Sequence, residues 1–202
     1  MVIDPGQIGH REMYRLMISV VVPRPIAFVS TAGSSGRHNV APFSFFNALA
    51  SQPPLVGISI NTRKGQPKDT LRNIEASGDF VINVVDEGLL DRAVHASGDW
   101  PADIDEFELT GLTPVPSEQV RSPRVAESPV SLECRLYRVV DLGATQFVVG
   151  EIVKAHVKDD VLTEGRVDPL KLRAVGRLGG DGYSMLGEVV QRPRPRTPPP
   201  TV

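Results

Sequence analysis

The chain has 202 residues, 41% of them hydrophobic and 23% charged, with 24 acidic and 22 basic side chains giving a net charge of −2. That length favours one domain around a single sizeable core, and the composition excludes both wholesale disorder and a chain embedded in a membrane. The charge balance excludes a general attraction to nucleic acid or to an anionic membrane surface, because both require clustered positive charge.

Along the chain, MVIDPGQIGHREMYRLM at residues 1–17 has no continuous apolar core followed by a small-residue cleavage site, so it is not read as a secretory signal. No stretch approaches the length of a membrane span, and the expected location is the cytoplasm. Met13, Leu16 and Met17 predict a turn and a brief helix. Ile18 to Val22 and Ile26 to Thr31 are β-branched runs interrupted by Pro23 and Pro25, and proline, which cannot donate to a ladder, marks strand entries or edges. GSSGRH at 33–38 predicts a hairpin connection. NVAPFSFFNALASQPP predicts a loop, and LVGISIN after it an interior strand.

Pro67 and Asp69 stand before TLRNIEAS, where Leu71 and Ile74 share a helical face and Gly78 supplies a stop. A strand FVINVV at 80–85 follows, then a second helix in GLLDRAVHAS. Residues 98–130, with five prolines, predict a long loop packed over one side of the fold. SLECRLYRVVDLG and QFVVGEIVKAHVKD predict a hairpin turning near Gly143, with Leu132, Cys134 and Leu136 on a buried face and Glu133 and Arg135 on an exposed one. Cys134, the single cysteine, reads there as a small buried hydrophobe, with a reactive thiol as the rival. QRPRPRTPPPTV at 191–202 has too little apolar area to order itself, so the folded domain is expected to span 1–190.

Common chemical motifs are missing. Gly180 and Gly182 begin a GxGxxG pattern, but Met185 holds the third position, and Glu188 stands where a phosphate-binding loop needs lysine. His10, His38, His95 and His156 are not at metal-ligand spacing, so no metal is expected, and no GxSxG elbow occurs.

What remains is an ordered set of segments: PRPIAFVST, NVAPFSFFN, QPKDTLRNI, FVINVV and RLGGDGYSMLGE. Together they resemble the flavin reductase-like family of FMN-binding split barrels over roughly residues 10–192. The resemblance implies a mainly β fold, a six-stranded antiparallel Greek-key split barrel with short flanking helices, forming a homodimer that holds flavin in a groove. It also implies an NAD(P)H-dependent flavin oxidoreductase, in which reduced nicotinamide passes hydride to bound FMN (FAD being possible) and on to free flavin, oxygen, a partner monooxygenase or an electron-transfer protein. The alternatives are a flavoredoxin-like FMN-binding electron carrier without direct NAD(P)H turnover, and an interaction module that has lost flavin.

By the same resemblance, Ala41, Pro42, Phe43 and Ser44 match the loop that meets the ring and ribityl chain, with Phe45, Phe46 and Asn47 in support. Thr31 and Asn47 are candidates for side-chain hydrogen bonds, and Arg63, Lys68, Asp69 and Thr70 match the phosphate-holding segment, where cations, a hydroxyl and a helix N-terminus reinforce one another. Arg177, Gly179, Gly180 and Tyr183 resemble the closing signature near the flavin. Each residue has a plainer rival. The phenylalanines read as core, Ser44, Thr31 and Asn47 as turn-formers, Arg63 and Lys68 as solvated charges, and Tyr183 as core. Asp69 reads as the start of its helix, Arg24 as an anion contact or a surface charge, and His156 as part of a solvated face with Lys154 and Lys158, against a role near flavin.

Overall fold

Seven strand-forming runs assemble into one antiparallel sheet in the computed structural model, which describes residues 1–33, 36–63, 65–101 and 104–194. The strands are β1 (Ala27–Ala32), β2 (His38–Phe43), β3 (Phe46–Ser51), β4 (Pro54–Asn61), β5 (Asp79–Val84), β6 (Val130–Asp141) and β7 (Thr145–Val157), in the spatial order β2-β1-β5-β6-β7-β4-β3. The two edges, β2 and β3, are consecutive in sequence and joined by Ser44 and Phe45 alone, so the sheet has to roll until its edges meet at that corner. They do not pair with each other, and the roll stays split.

This corrects the expectation of a six-stranded barrel: the sheet has seven strands and is not closed. The added strands come from NVAPFSFFNALAS, expected as a loop, which supplies both edges. Pro42 is tolerated because β2 pairs on one side only, with Pro42 opposite Phe28, and an edge strand does not need every N–H.

Each face of the sheet carries a hydrophobic core. Ala27 and Val29 of β1 join Phe43, Ile58, Leu71, Ile74, Phe80 and Cys134 in the core inside the roll. Ile26 and Phe28, one residue out of phase, join Val40, Leu89, Ala93, Phe107 and Val125 in a second core on the other face. Gly150 lies where β7 crosses Phe80: a Cβ there would stand 2.4 Å from the ring's Cζ and 3.2 Å from Cys134 Cβ. Gly150→Ala is therefore expected to cost about 1–3 kcal/mol through overpacking, read as a lower urea midpoint at unchanged slope.

The helices are α1 (His10–Val20), α2 (Asp69–Ser77), α3 (Leu90–Ala96), α4 (Glu106–Thr110) and a single turn at Pro169–Leu172. α2 is as expected, burying Leu71 and Ile74 and stopping at Gly78, whose φ of +74° suits glycine. α1 runs further than expected and takes in Ile18 to Val20, because Glu12 caps Gly9 N–H and the helix continues until Arg24 binds the carbonyls at its end. Residues 98–130 are not all loop: they hold α4, capped by Asp105, and a short strand pair, Pro114–Val115 with Arg124–Val125. Residues 191–194 have no regular secondary structure, and the remainder of the expected tail, 195–202, lies outside the described residues.

Candidate functional site

A groove runs along β2 between the N-terminus of α2 and the C-terminal end of α3. Its larger part, about 430 Å³, has Asn39, Ala41 and Pro42 as floor. Arg63, Lys68, Asp69 and Thr70 form one wall, and Ser97 to Trp100, with Glu106 of α4, form the other. A smaller cavity of about 110 Å³ shares Pro42 and Ser97 with it and extends past Ser44 to Leu90, Val94, Arg177 and Tyr183. The larger end thus holds Arg63, Lys68 and Arg72 beside three carboxylates, and the smaller one is lined mostly by apolar residues with Arg177 as its cation.

The larger end is built by α2. Its cap position is Lys68, which offers no acceptor, so among the described residues no side chain takes up the first-turn N–H groups. Those groups and the helix dipole favour an anion, and Lys68 and Arg63 line the same space. Asp69 starts the helix and pairs with Arg72. Arg63 bridges the groove to Asp99 at 3.0 Å, an exposed pair with little net worth that an arriving anion can replace. The Thr70 hydroxyl donates to Asn39 Oδ1 at 2.9 Å, so in this arrangement Thr70 offers a ligand its backbone N–H and not its hydroxyl hydrogen.

At the other end the decisive residue is Arg24. It is neither a surface charge nor open to the groove: it is 6% exposed and donates to the carbonyls of Ile18 and Val21 at 2.8 Å and of Leu178 at 2.9 Å. Burial, and after it the nearby Arg177, pushes its pKa below the ordinary arginine value. Its Nε also donates to Ser44 Oγ at 3.4 Å, which leaves the Ser44 hydroxyl hydrogen free for a ligand acceptor. Arg177 stacks over Tyr183 at 4.5 Å from the ring centroid and donates to Gly182 O, fixing the closing glycine-rich turn.

Of the eleven residues singled out from the sequence, Ala41, Pro42, Ser44, Arg63, Lys68, Asp69, Thr70 and Tyr183 line this groove. Three do not. Thr31 is fully buried beneath it, accepting from Asn73 and donating weakly to Asn39. Phe43 is core, with Lys68 Nζ 5.6 Å from its ring centroid. Asn47 sits exposed on the edge strand β3. His156 lines neither cavity and lies 2.6 Å from the buried Glu133, and Cys134 is buried filler whose thiol is pushed up by burial. The residues that sequence reasoning missed are Asn39, Ser97, Trp100 and Glu106. Asn39 lies inside the motif NVAPFSFFN, whereas the others come from the end of α3 and the proline-rich segment, which carried no periodic signal.

The flavin reductase like domain matches residues 18–172. The chain belongs to the flavin reductase-like family. An uncharacterized protein of Halalkalibacterium halodurans is 43% identical over 202 residues, 96% of this chain and 97% of the relative. Among solved structures, nitrilotriacetate monooxygenase component B from Bacillus cereus superposes at a TM-score of 0.92 with 33% identity, covering 95% of this chain and 98% of that one. Pseudomonas fluorescens 2-nitrobenzoate 2-nitroreductase gives 0.90 with 34% identity and 98% of both chains. Flavoredoxin of Desulfovibrio vulgaris gives 0.79 with 27% identity, covering 95% of this chain and 97% of that one. For a member of this family, the groove's donors, cations at one end and a free hydroxyl with apolar walls at the other, fit a phosphorylated ligand with a flat, acceptor-rich ring.

Proposed function

We propose that this flavin oxidoreductase binds FMN in the groove, phosphate toward α2 and ring toward Ser44 and Tyr183, and is reduced there by NADH or NADPH. The observation that carries the reading is the cation-flanked, uncapped N-terminus of α2 sharing one groove with Ser44 and Tyr183 in a flavin reductase-like chain. When bound, flavin supplies the redox chemistry, taking hydride from reduced nicotinamide and handing electrons to free flavin, oxygen or a partner.

The chain's own contribution is placement. Lys68, Arg63 and the first turn of α2 neutralise the phosphate, while Arg24 orients the Ser44 hydroxyl toward the ring end. Leu90 and Val94 give that end an apolar wall against water. No acid or base is required of the protein in this scheme, and FAD is the second candidate cofactor. The reading includes a homodimer working in the cytoplasm, where reduced nicotinamide is available. The likeness to a monooxygenase component B supports a partner monooxygenase as electron acceptor. The likeness to a flavoredoxin supports a second reading, an electron carrier that is reduced by another protein.

Titration with FMN is expected to shift the flavin's visible absorption, and anaerobic addition of NADH or NADPH to bleach it rapidly. Bleaching only by a protein donor would select the carrier, and failure to bind either FMN or FAD would sink both readings.

A further inference from the structure

Three carboxylates line the α2 end of the groove, and two of them have a cation: Asp69 pairs with Arg72 and Asp99 with Arg63. Glu106 has none among the described residues. Its Oε1 accepts from Asn39 Nδ2 at 3.0 Å, while its Oε2 is sealed from solvent and has no partner from another residue among the described ones. Asn39 in turn accepts from Thr70 in the first turn of α2, so a chain of two hydrogen bonds joins the acid to the proposed phosphate seat. An ionised carboxylate with one oxygen sealed and unpaired is costly, and more so beside a second anion.

We infer that Glu106 is the proton-linked specificity group of this groove, uncharged when a phosphoryl group sits at α2, so that a dianionic ligand takes up one proton on binding whereas an uncharged ligand does not. The inference rests on the flavin reading above and adds to it a preference governed by ligand charge.

The surroundings agree. Asp105 on the same helix and Asp69 from α2 both disfavour a negative Glu106, and burial does so more strongly, so its pKa lies above the ordinary value despite the bonds from Asn39 and from its own N–H. On the opposite side, Lys68, Arg63 and Arg72 line the same cavity, with Asp99 at its rim. From β2, His38 sends its backbone N–H to Asp105 and its ring to Phe107, not to Glu106.

The test compares dissociation constants of FMN and riboflavin by flavin fluorescence between pH 5.5 and 8.5, for the wild type and Glu106→Gln. In the wild type the preference for FMN over riboflavin should fall with rising pH, by up to about tenfold per unit, the limit for one linked proton. Glu106→Gln should flatten this difference and bind FMN at least about tenfold tighter than wild type at pH 8.5, with riboflavin unaffected. The ionisation of the FMN phosphate itself is common to both proteins and cancels. A variant with the wild-type pH profile, or one that binds FMN more weakly throughout, overturns the inference while leaving the flavin reading in place. Wild type that binds neither flavin overturns both. Calorimetry of the wild type in buffers of different ionisation enthalpy gives an answer that needs no variant: more proton taken up per FMN than per riboflavin at pH 8, with equal uptake for the two overturning the inference.

Discussion

Replacing Arg63 and Lys68 together with alanine is expected to weaken FMN binding about a hundredfold while leaving riboflavin binding nearly unchanged. Charge-assisted hydrogen bonds contribute about 1.5–3 kcal/mol each, and both side chains are exposed, Arg63 by 44%, so the low end of that range applies to each. Two such losses sum to about 3 kcal/mol, or roughly two factors of ten in affinity. The first-turn N–H groups of α2 remain in the double variant and retain part of the attraction. Arg63 also has to leave Asp99 before it can hold a ligand, so Arg63→Ala alone should cost less than Lys68→Ala alone. The check is a pair of fluorescence titrations with FMN and riboflavin at two ionic strengths. The variant should lose most of the salt dependence that the wild type shows for FMN, because screening acts on the charges that have been removed. An unchanged FMN affinity would move the phosphate away from this end of the groove.

This end of the groove is the part that sequence made visible, because its geometry is local. Pro67, Asp69, Leu71, Ile74 and Gly78 specify α2 within twelve residues, and the position of Lys68 at its start follows from the helix alone. The opposite wall could not be read in the same way. Ser97 to Trp100 follow a short helix, and Glu106 opens one of five residues inside a stretch punctuated by proline, so neither carries a period. They reach the groove through the packing of Leu89, Ala93 and Phe107 onto the outer face of β1. Arg24 stayed ambiguous for a related reason: one of the carbonyls that fixes it, from Leu178, is 154 residues away. The edge strands were missed where Pro42 and the small residues of NALAS imitate a loop, although the sheet needs only one ladder from each of them.

The alternation in β6 misled in an instructive direction, since Glu133, expected on the solvent side, is fully buried. The covering layer is the segment before it, as the expectation of a loop packed over one side of the fold had it. Backbone N–H groups of Glu118 and Gln119 donate to the Glu133 carboxylate at 2.8 and 2.6 Å, and His156 Nε2 lies 2.6 Å from Oε1. Asp79 anchors the same segment three residues on, accepting from Arg121 N and Ser122 N. Asn83 does so at Val125.

Glu133→Ala is therefore expected to destabilise the protein by about 1–3 kcal/mol, because it removes the buried acceptor shared by the backbone N–H groups of Glu118 and Gln119 and by His156 Nε2. Glu133→Gln, which keeps the shape and one acceptor, should cost less. The pH dependence has a definite sign. Burial pushes the Glu133 carboxyl up, but the bonds from Glu118, Gln119 and His156 outweigh it, and the net shift is downward. A carboxyl depressed in the folded state contributes stability that is present above its unfolded value, about 4.3, and is lost as pH falls through the folded one. The gap between wild type and Glu133→Gln in urea unfolding should therefore be largest near neutral pH and narrow steadily below about pH 4. A gap that stayed constant across that range would mean that the charge of Glu133 contributes nothing to holding the covering segment, and that Asp79 and Asn83 suffice.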